Sequence, residues 1–126
     1  MAYIKIGNKQ IDNVRFAITD EEQETGLMHS SWPPDFMVFP YKTAEKRKFW
    51  MKNTPVPLDI IFCKANKIIY IGVGKPYVEN KLIGPNEPCD LVIEAYGGFC
   101  AYNDIKIGDS ISVKYDKENI AKLLKK

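Results

Sequence analysis

Apolar and polar positions alternate with a period of two in several stretches of the chain. Val14, Phe16 and Ile18 share one side of an extended segment, Ile69, Ile71 and Val73 oppose Ile68 and Tyr70, and Val92, Glu94 and Tyr96 oppose Leu91, Ile93 and Ala95. That period is the signature of a strand. The pattern predicts strands over 3–6, 13–18, 36–39, 48–52, 58–63, 67–73, 91–96 and 110–115. Gly7-Asn8-Lys9 is expected to turn the first two into a hairpin, and Ala65-Asn66 to turn 58–63 against 67–73. The run from Lys67 to Val73 is apolar enough to be expected to be covered on both faces.

Helical signals are few and short. Thr19 or Asp20 is placed to cap a helix whose first turn is acidic, and Gly26 to close it. Gly97-Gly98 ends a strand and opens a short helix that stops before Ile105. Asp116 caps a last helix, with Ile120, Leu123 and Leu124 expected on its buried stripe. Prolines and glycines mark 30–35, the Pro55-Val56-Pro57 bend and the long segment from Gly74 to Pro88 as loops, and 40–46 reads as a polar connection. These elements predict one β-rich α+β domain over residues 1–126, a mostly antiparallel sheet or partly open barrel with short helices.

Composition narrows the function classes. The 126 residues are 45% hydrophobic and 27% charged with a net charge of +2, the balance of a soluble globular protein. The start, Met1-Ala2-Tyr3-Ile4-Lys5-Ile6, has no apolar core of a signal peptide, and no run is long enough to span a bilayer. A cytoplasmic protein without membrane contact is expected. Cys63, Cys89 and Cys100 are odd in number, lack CxxC spacing and have only His29 as a possible histidine neighbour, so free, non-catalytic thiols and no metal site are expected. Trp32, Phe36 and Phe39 would suit a stacking platform for single strands, but so small a net charge argues against nucleic acid as a partner. There is no Walker loop, dinucleotide fingerprint, zinc-protease helix or nucleophile elbow. No cofactor is expected.

The chemistry-bearing stretch is Phe49 to Phe62. If 48–52 is extended, Trp50, Lys52 and Thr54 share one side and Phe49, Met51 and Asn53 the other. Asp59, set among Leu58, Ile60, Ile61 and Phe62, needs a partner if buried, and Lys52 or backbone amides at the proline bend are the expected ones. One reading gathers Lys52, Asn53, Asp59 and Glu94, framed by Trp50 and Tyr96, around a pocket for a small polar ligand or a peptide without catalysis. A second makes Asp59 and Glu94 the paired carboxylates of a small hydrolase. A third is purely structural, with each polar group satisfied inside the fold. Gly97-Gly98 also offers backbone amides to an anion.

These motifs resemble those of the bacterial and archaeal family known as Domain of Unknown Function 192. The resemblance runs from about Thr25 to Val113 and rests on Gly26-Leu27-Met28, Met37-Val38-Phe39, Phe49-Trp50-Met51-Lys52-Asn53-Thr54, Pro57-Leu58-Asp59-Ile60-Ile61-Phe62, Val92-Ile93-Glu94 with Gly97-Gly98, and Ile107-Gly108-Asp109. It implies a compact, mostly antiparallel β domain with short helices and no established activity. Members typically carry an arginine two residues after Gly-Leu-Met, where this chain has Ser30. Many are exported or carry a leader, which this chain is expected to lack.

Overall fold

The computed structural model describes residues 1–126 as eight strands and three short helices: β1 (Tyr3–Ile6), β2 (Lys9–Ile11), β3 (Val14–Phe16), α1 (Asp20–Thr25), β4 (Phe36–Glu45), β5 (Leu58–Lys64), β6 (Lys67–Gly74), β7 (Cys89–Tyr96), α2 (Phe99–Tyr102), β8 (Ile111–Lys114) and α3 (Lys117–Lys125). They form a three-stranded sheet, β2-β1-β8, and a five-stranded sheet, β3-β4-β7-β5-β6. All pairings are antiparallel except β3 with β4. The fold is thus β-rich α+β, as the alternation predicts, and no barrel closes.

The first hairpin differs from expectation. Gly7, at φ 59°, turns the chain so soon that Lys9–Ile11 returns along β1 with Ile11 opposite Ile4. The polar pair Asp12-Asn13 then releases the chain, and Val14–Phe16 crosses to the other sheet to run parallel with β4. Sequence alternation identified an extended segment there but not its partner.

Strand β7 lies between β4 and β5, and its alternation divides two cores. Ile93 and Ala95 join Ile61, Cys63, Val38 and Phe36 on one face, over which Ile4, Ile6, Ile11 and Ile111 of the small sheet pack. Val92 joins Ile60, Phe62, Phe39, Leu58 and Met51 on the other. Opposite faces of one sheet therefore carry separate environments, and a residue's parity along β5 or along residues 91–96 of β7 decides which one it enters.

Three further expectations are corrected. Strand β4 continues through Pro40 to Glu45 instead of ending at Phe39, with its register against β7 shifting between Pro40 and Glu45; a proline cannot donate to the ladder, so the irregularity falls there. Residues 48–52 are extended but are not a strand, because their pairing with the 78–83 loop is a single isolated bridge: Phe49 and Ile83 exchange both N–H···O bonds at 2.8 Å, and the Met51 N–H reaches the Val78 carbonyl at 3.1 Å. Strand β6 is an edge strand with Tyr70 and Val73 turned outward, not one covered on both faces.

The helices begin as predicted. Thr19 and Glu22 form a reciprocal capping box on α1, Gly26 ends it, and the Asp116 carboxylate accepts from the Asn119 N–H to start α3. The stripe of α3 is not buried as expected. Leu123 packs on the first core, whereas Ile120 and Leu124 are exposed. Polar ties hold the helix instead, with Lys122 Nζ 2.9 Å from Glu22 Oε2 and the Lys126 ammonium donating to the Ile18 carbonyl. No helix is long and apolar enough to cross a membrane.

Candidate functional site

A cavity of about 430 Å³ opens between the end of α1, strand β4 and the extended segment 46–54. Its apolar wall is Phe39, Phe49 and Leu27, and Gly26 and Thr25 border it where α1 stops. Along the segment Lys48, Trp50, Lys52 and Thr54 line the cavity as the two-residue alternation groups them, but Arg47 and Phe49, of the opposite parity, line it too, so the alternation holds only from Trp50 onward. Met51, between Trp50 and Lys52, is fully buried on the other side, fitted against Gly74, where a Cβ would stand 2.4 Å from its Sδ. Lys52 lies over the Trp50 ring with Nζ 5.1 Å from the centroid, and Arg47 stacks on Tyr41 at 3.4 Å, distances at which a cation is attracted by the ring face.

Glu94 forms part of the cavity wall. It is buried, sits in β7 opposite Met37 and Ile60, and its Oε1 has no hydrogen-bond partner. Burial pushes its pKa up from 4.5 to about 8, with the Leu27 backbone N–H opposing the rise, so the carboxyl is largely protonated at neutral pH. Gly26, at φ 49°, allows the chain to pass over this group: a Cβ there would lie 3.1 Å from Oε1 and 3.4 Å from the Phe39 ring.

Asp59 does not join this site. It faces the opposite side of the sheet, adjacent in register to Ala95, whereas Glu94 pairs with Ile60. Its carboxylate accepts from the Cys100 N–H at 2.9 Å and the Gly98 N–H at 3.3 Å. The amides of the glycine turn do receive an anion, and it is the protein's own side chain. Lys52 and the proline bend, the expected partners, take no part. The bend is held by Gly97, whose N–H reaches the Pro57 carbonyl at 2.9 Å and whose missing Cβ leaves room for Pro57.

The remaining candidates separate likewise. Asn53, in a left-handed turn at φ 53°, offers its carbonyl to the His29 N–H at 2.8 Å and lies outside the cavity. Tyr96, at the last position of β7, packs its ring among Phe36, Phe99 and Trp32 at centroid distances of 5.8, 5.5 and 5.9 Å. The structure brings together Trp50, Lys52 and Glu94 and leaves Asp59, Asn53 and Tyr96 elsewhere. Sequence reasoning missed Gly26, Lys46 and Lys48 as cavity residues. Lys48 and Lys46 carried a usable signal, being on the same alternation as Trp50 and Lys52; Gly26 arrives from outside any period.

The three thiols are free and buried. Burial raises their pKa values, and for Cys100 the Asp59 carboxylate beside it adds to the effect, pushing it up to about 12. No group of three or more histidine, cysteine or acidic side chains is arranged to hold a metal.

Among solved structures, a protein of unknown function from Novosphingobium aromaticivorans is similar at 29% identity and a TM-score of 0.79, over 87% of this chain and 83% of that one. A Sinorhizobium meliloti protein, provisionally described as a transcription regulator, is similar at 25% identity and a TM-score of 0.79, over 90% of this chain and 94% of that one. No curated protein matches the chain. The model of the family DUF192, described as an uncharacterized ACR, matches residues 2–113, most of the chain and its whole five-stranded sheet. The chain belongs to the DUF192 family.

Proposed function

We propose that this protein is a non-catalytic binding domain whose cavity between α1, β4 and residues 46–54 takes a small polar ligand or the end of a peptide. The observation that carries this reading is Glu94: a buried carboxyl whose Oε1 lacks a partner, on the wall of a cavity faced by Trp50 and Lys52. A buried polar atom left unpaired costs about 1–3 kcal/mol, and a ligand group that pairs with it recovers that cost. The cavity also has the mixed lining of ligand sites, an apolar wall with a few polar groups.

A hydrolase built on Asp59 and Glu94 draws no support from this arrangement, because the two carboxyls occupy opposite faces of the sheet and Asp59 is committed to α2. The test is a nuclear magnetic resonance screen of small polar compounds and short peptides against the 15N-labelled protein. Saturable shifts confined to Gly26, Trp50, Lys52 and Thr54, with the compound recovered unchanged, are expected. Conversion of the compound, or a folded protein whose cavity signals respond to none of them, overturns the reading.

A further inference from the structure

The cavity's charges point to the class of ligand. Lys46, Arg47, Lys48 and Lys52 line it against Glu24 and Glu94. Arg47 is spent on the Thr43 and Cys89 carbonyls and on Glu45 at 3.5 Å, and Lys48 donates to the Gly84 carbonyl at 2.6 Å and to Asn86. Lys46 and Lys52 take part in no ion pair. The π faces of Tyr41 and Trp50, which would otherwise attract a ligand cation, already hold Arg47 and Lys52. Cationic ligands therefore meet like charge and occupied rings, while anionic ones meet free ammonium groups.

Resting on the binding role above, we infer that the ligand is a small organic anion, with its carboxylate or phosphate drawn by Lys46 and Lys52, its body against Phe39, Phe49 and Trp50, and one of its polar groups paired with the unpartnered Oε1 of Glu94. A buried acid kept neutral can donate to an oxyanion, whereas its ionised form repels one. The titratable and charged groups that share the cavity with Glu94 are Glu24 from α1, Tyr41 from β4, and Lys46, Arg47, Lys48 and Lys52 from the extended segment. Weakening of anion binding between pH 7 and 9 therefore reports loss of the Glu94 proton.

The experiment compares four probes that share a phenyl body: phenylacetate, phenyl phosphate, phenylacetamide and phenethylamine. Each is titrated into the 15N-labelled protein at pH 7 and pH 9, following the Trp50 indole N–H. At least one of the two anions is expected to bind about tenfold or more tightly than the amide and the amine, and which of them does so separates carboxylate from phosphate as the source. That anion should weaken about tenfold or more from pH 7 to pH 9. Lys52→Met should reduce its affinity about tenfold, and Glu94→Gln, which keeps an N–H donor but cannot ionise, should retain binding at pH 7 and lose the pH dependence. If Glu94→Gln does not fold, the wild-type pH profile against that of Lys52→Met carries the same decision. Preference for the amine, strengthening as pH rises, overturns the anion assignment and leaves the binding role standing; an anion whose affinity is unchanged across this range overturns the donor role of Glu94; silence from all four probes overturns the ligand class.

Discussion

Two acidic side chains one register position apart on the paired strands β5 and β7 meet different fates because strand parity sends them to opposite faces. Asp59 finds two backbone N–H donors at the start of α2, whereas Glu94 finds the cavity. For Asp59 the consequence is structural. Asp59→Ala orphans the Gly98 and Cys100 amides and is expected to cost about 2–3 kcal/mol by urea denaturation, in the range for buried unsatisfied donors facing a lost charge. Lys52→Met, by contrast, removes a partly exposed side chain with no ion pair and should stay within about 0.5 kcal/mol of wild type. Their losses should add in the double variant, because the two side chains are not partners.

For Glu94 the consequence is a pH dependence of stability. The folded protein holds a proton at this site up to about pH 8, while the unfolded chain releases it near 4.5. Between those values the native state binds more protons, so the contribution is fully present below about pH 4.5, declines as pH rises and is lost through pH 8. At about 1.36 kcal/mol per pKa unit, the span is worth at most about 5 kcal/mol. Denaturation midpoints of the wild type should fall between pH 5 and pH 9 relative to those of Glu94→Gln. Parallel profiles for the two proteins would show that Glu94 is ionised in the native state.

At the scale of elements, local chemistry sets the boundaries and tertiary pairing sets the neighbours. The capping box of α1 is written in Thr19 and Glu22, and Thr19→Ala is expected to cost about 1 kcal/mol, read as a lower denaturation midpoint. Glu22 tests the same corner electrostatically. Its slight burial raises its pKa, but the Thr19 and Ile18 N–H groups and Lys122 outweigh that and hold it down at about 2. The stabilisation is therefore present above its ordinary 4.5 and lost as pH falls toward 2, with the sign opposite to that of Glu94.

These caps, the β5-β6 hairpin and the alternation of 50–54 were legible in the sequence because each depends on residues close along the chain. The crossing of β3 to the larger sheet was not, since nothing within Val14–Phe16 distinguishes β4 from β1 as a partner. Nor was the fate of Leu124, whose position on the apolar stripe of α3 is satisfied by period alone while the core stops at Leu123. At the site, parity correctly grouped Trp50, Lys52 and Thr54, but it could not say that the odd positions of β5 and the even positions of β7 point to different cores. That is a matter of register, and register is set across strands.

For the whole molecule, the question is whether the two cores open separately or together. Cys63 and Cys100 lie in the core between the sheets, Cys89 in the core on the opposite face, and burial raises the pKa of all three. Strands β5 and β7 contribute to both cores, and Cys63 and Cys89 sit on these shared strands, within two residues of one another in register, since Cys63 pairs with Leu91. If the two faces open together, both thiols are exposed only when β7 parts from its neighbours. Cys100, on the four-residue helix α2, is held by less: its N–H bond to Asp59 and the packing of Phe99. Labelling by a thiol reagent under native conditions should therefore modify Cys100 first, through local opening of α2, and Cys63 and Cys89 later and at a common rate set by global unfolding. Asp59→Ala should accelerate the Cys100 step far more than the slower pair. Peptide mapping of the modified protein over time distinguishes the outcomes, and unequal rates at Cys63 and Cys89 would mean that the two faces of the sheet unfold independently.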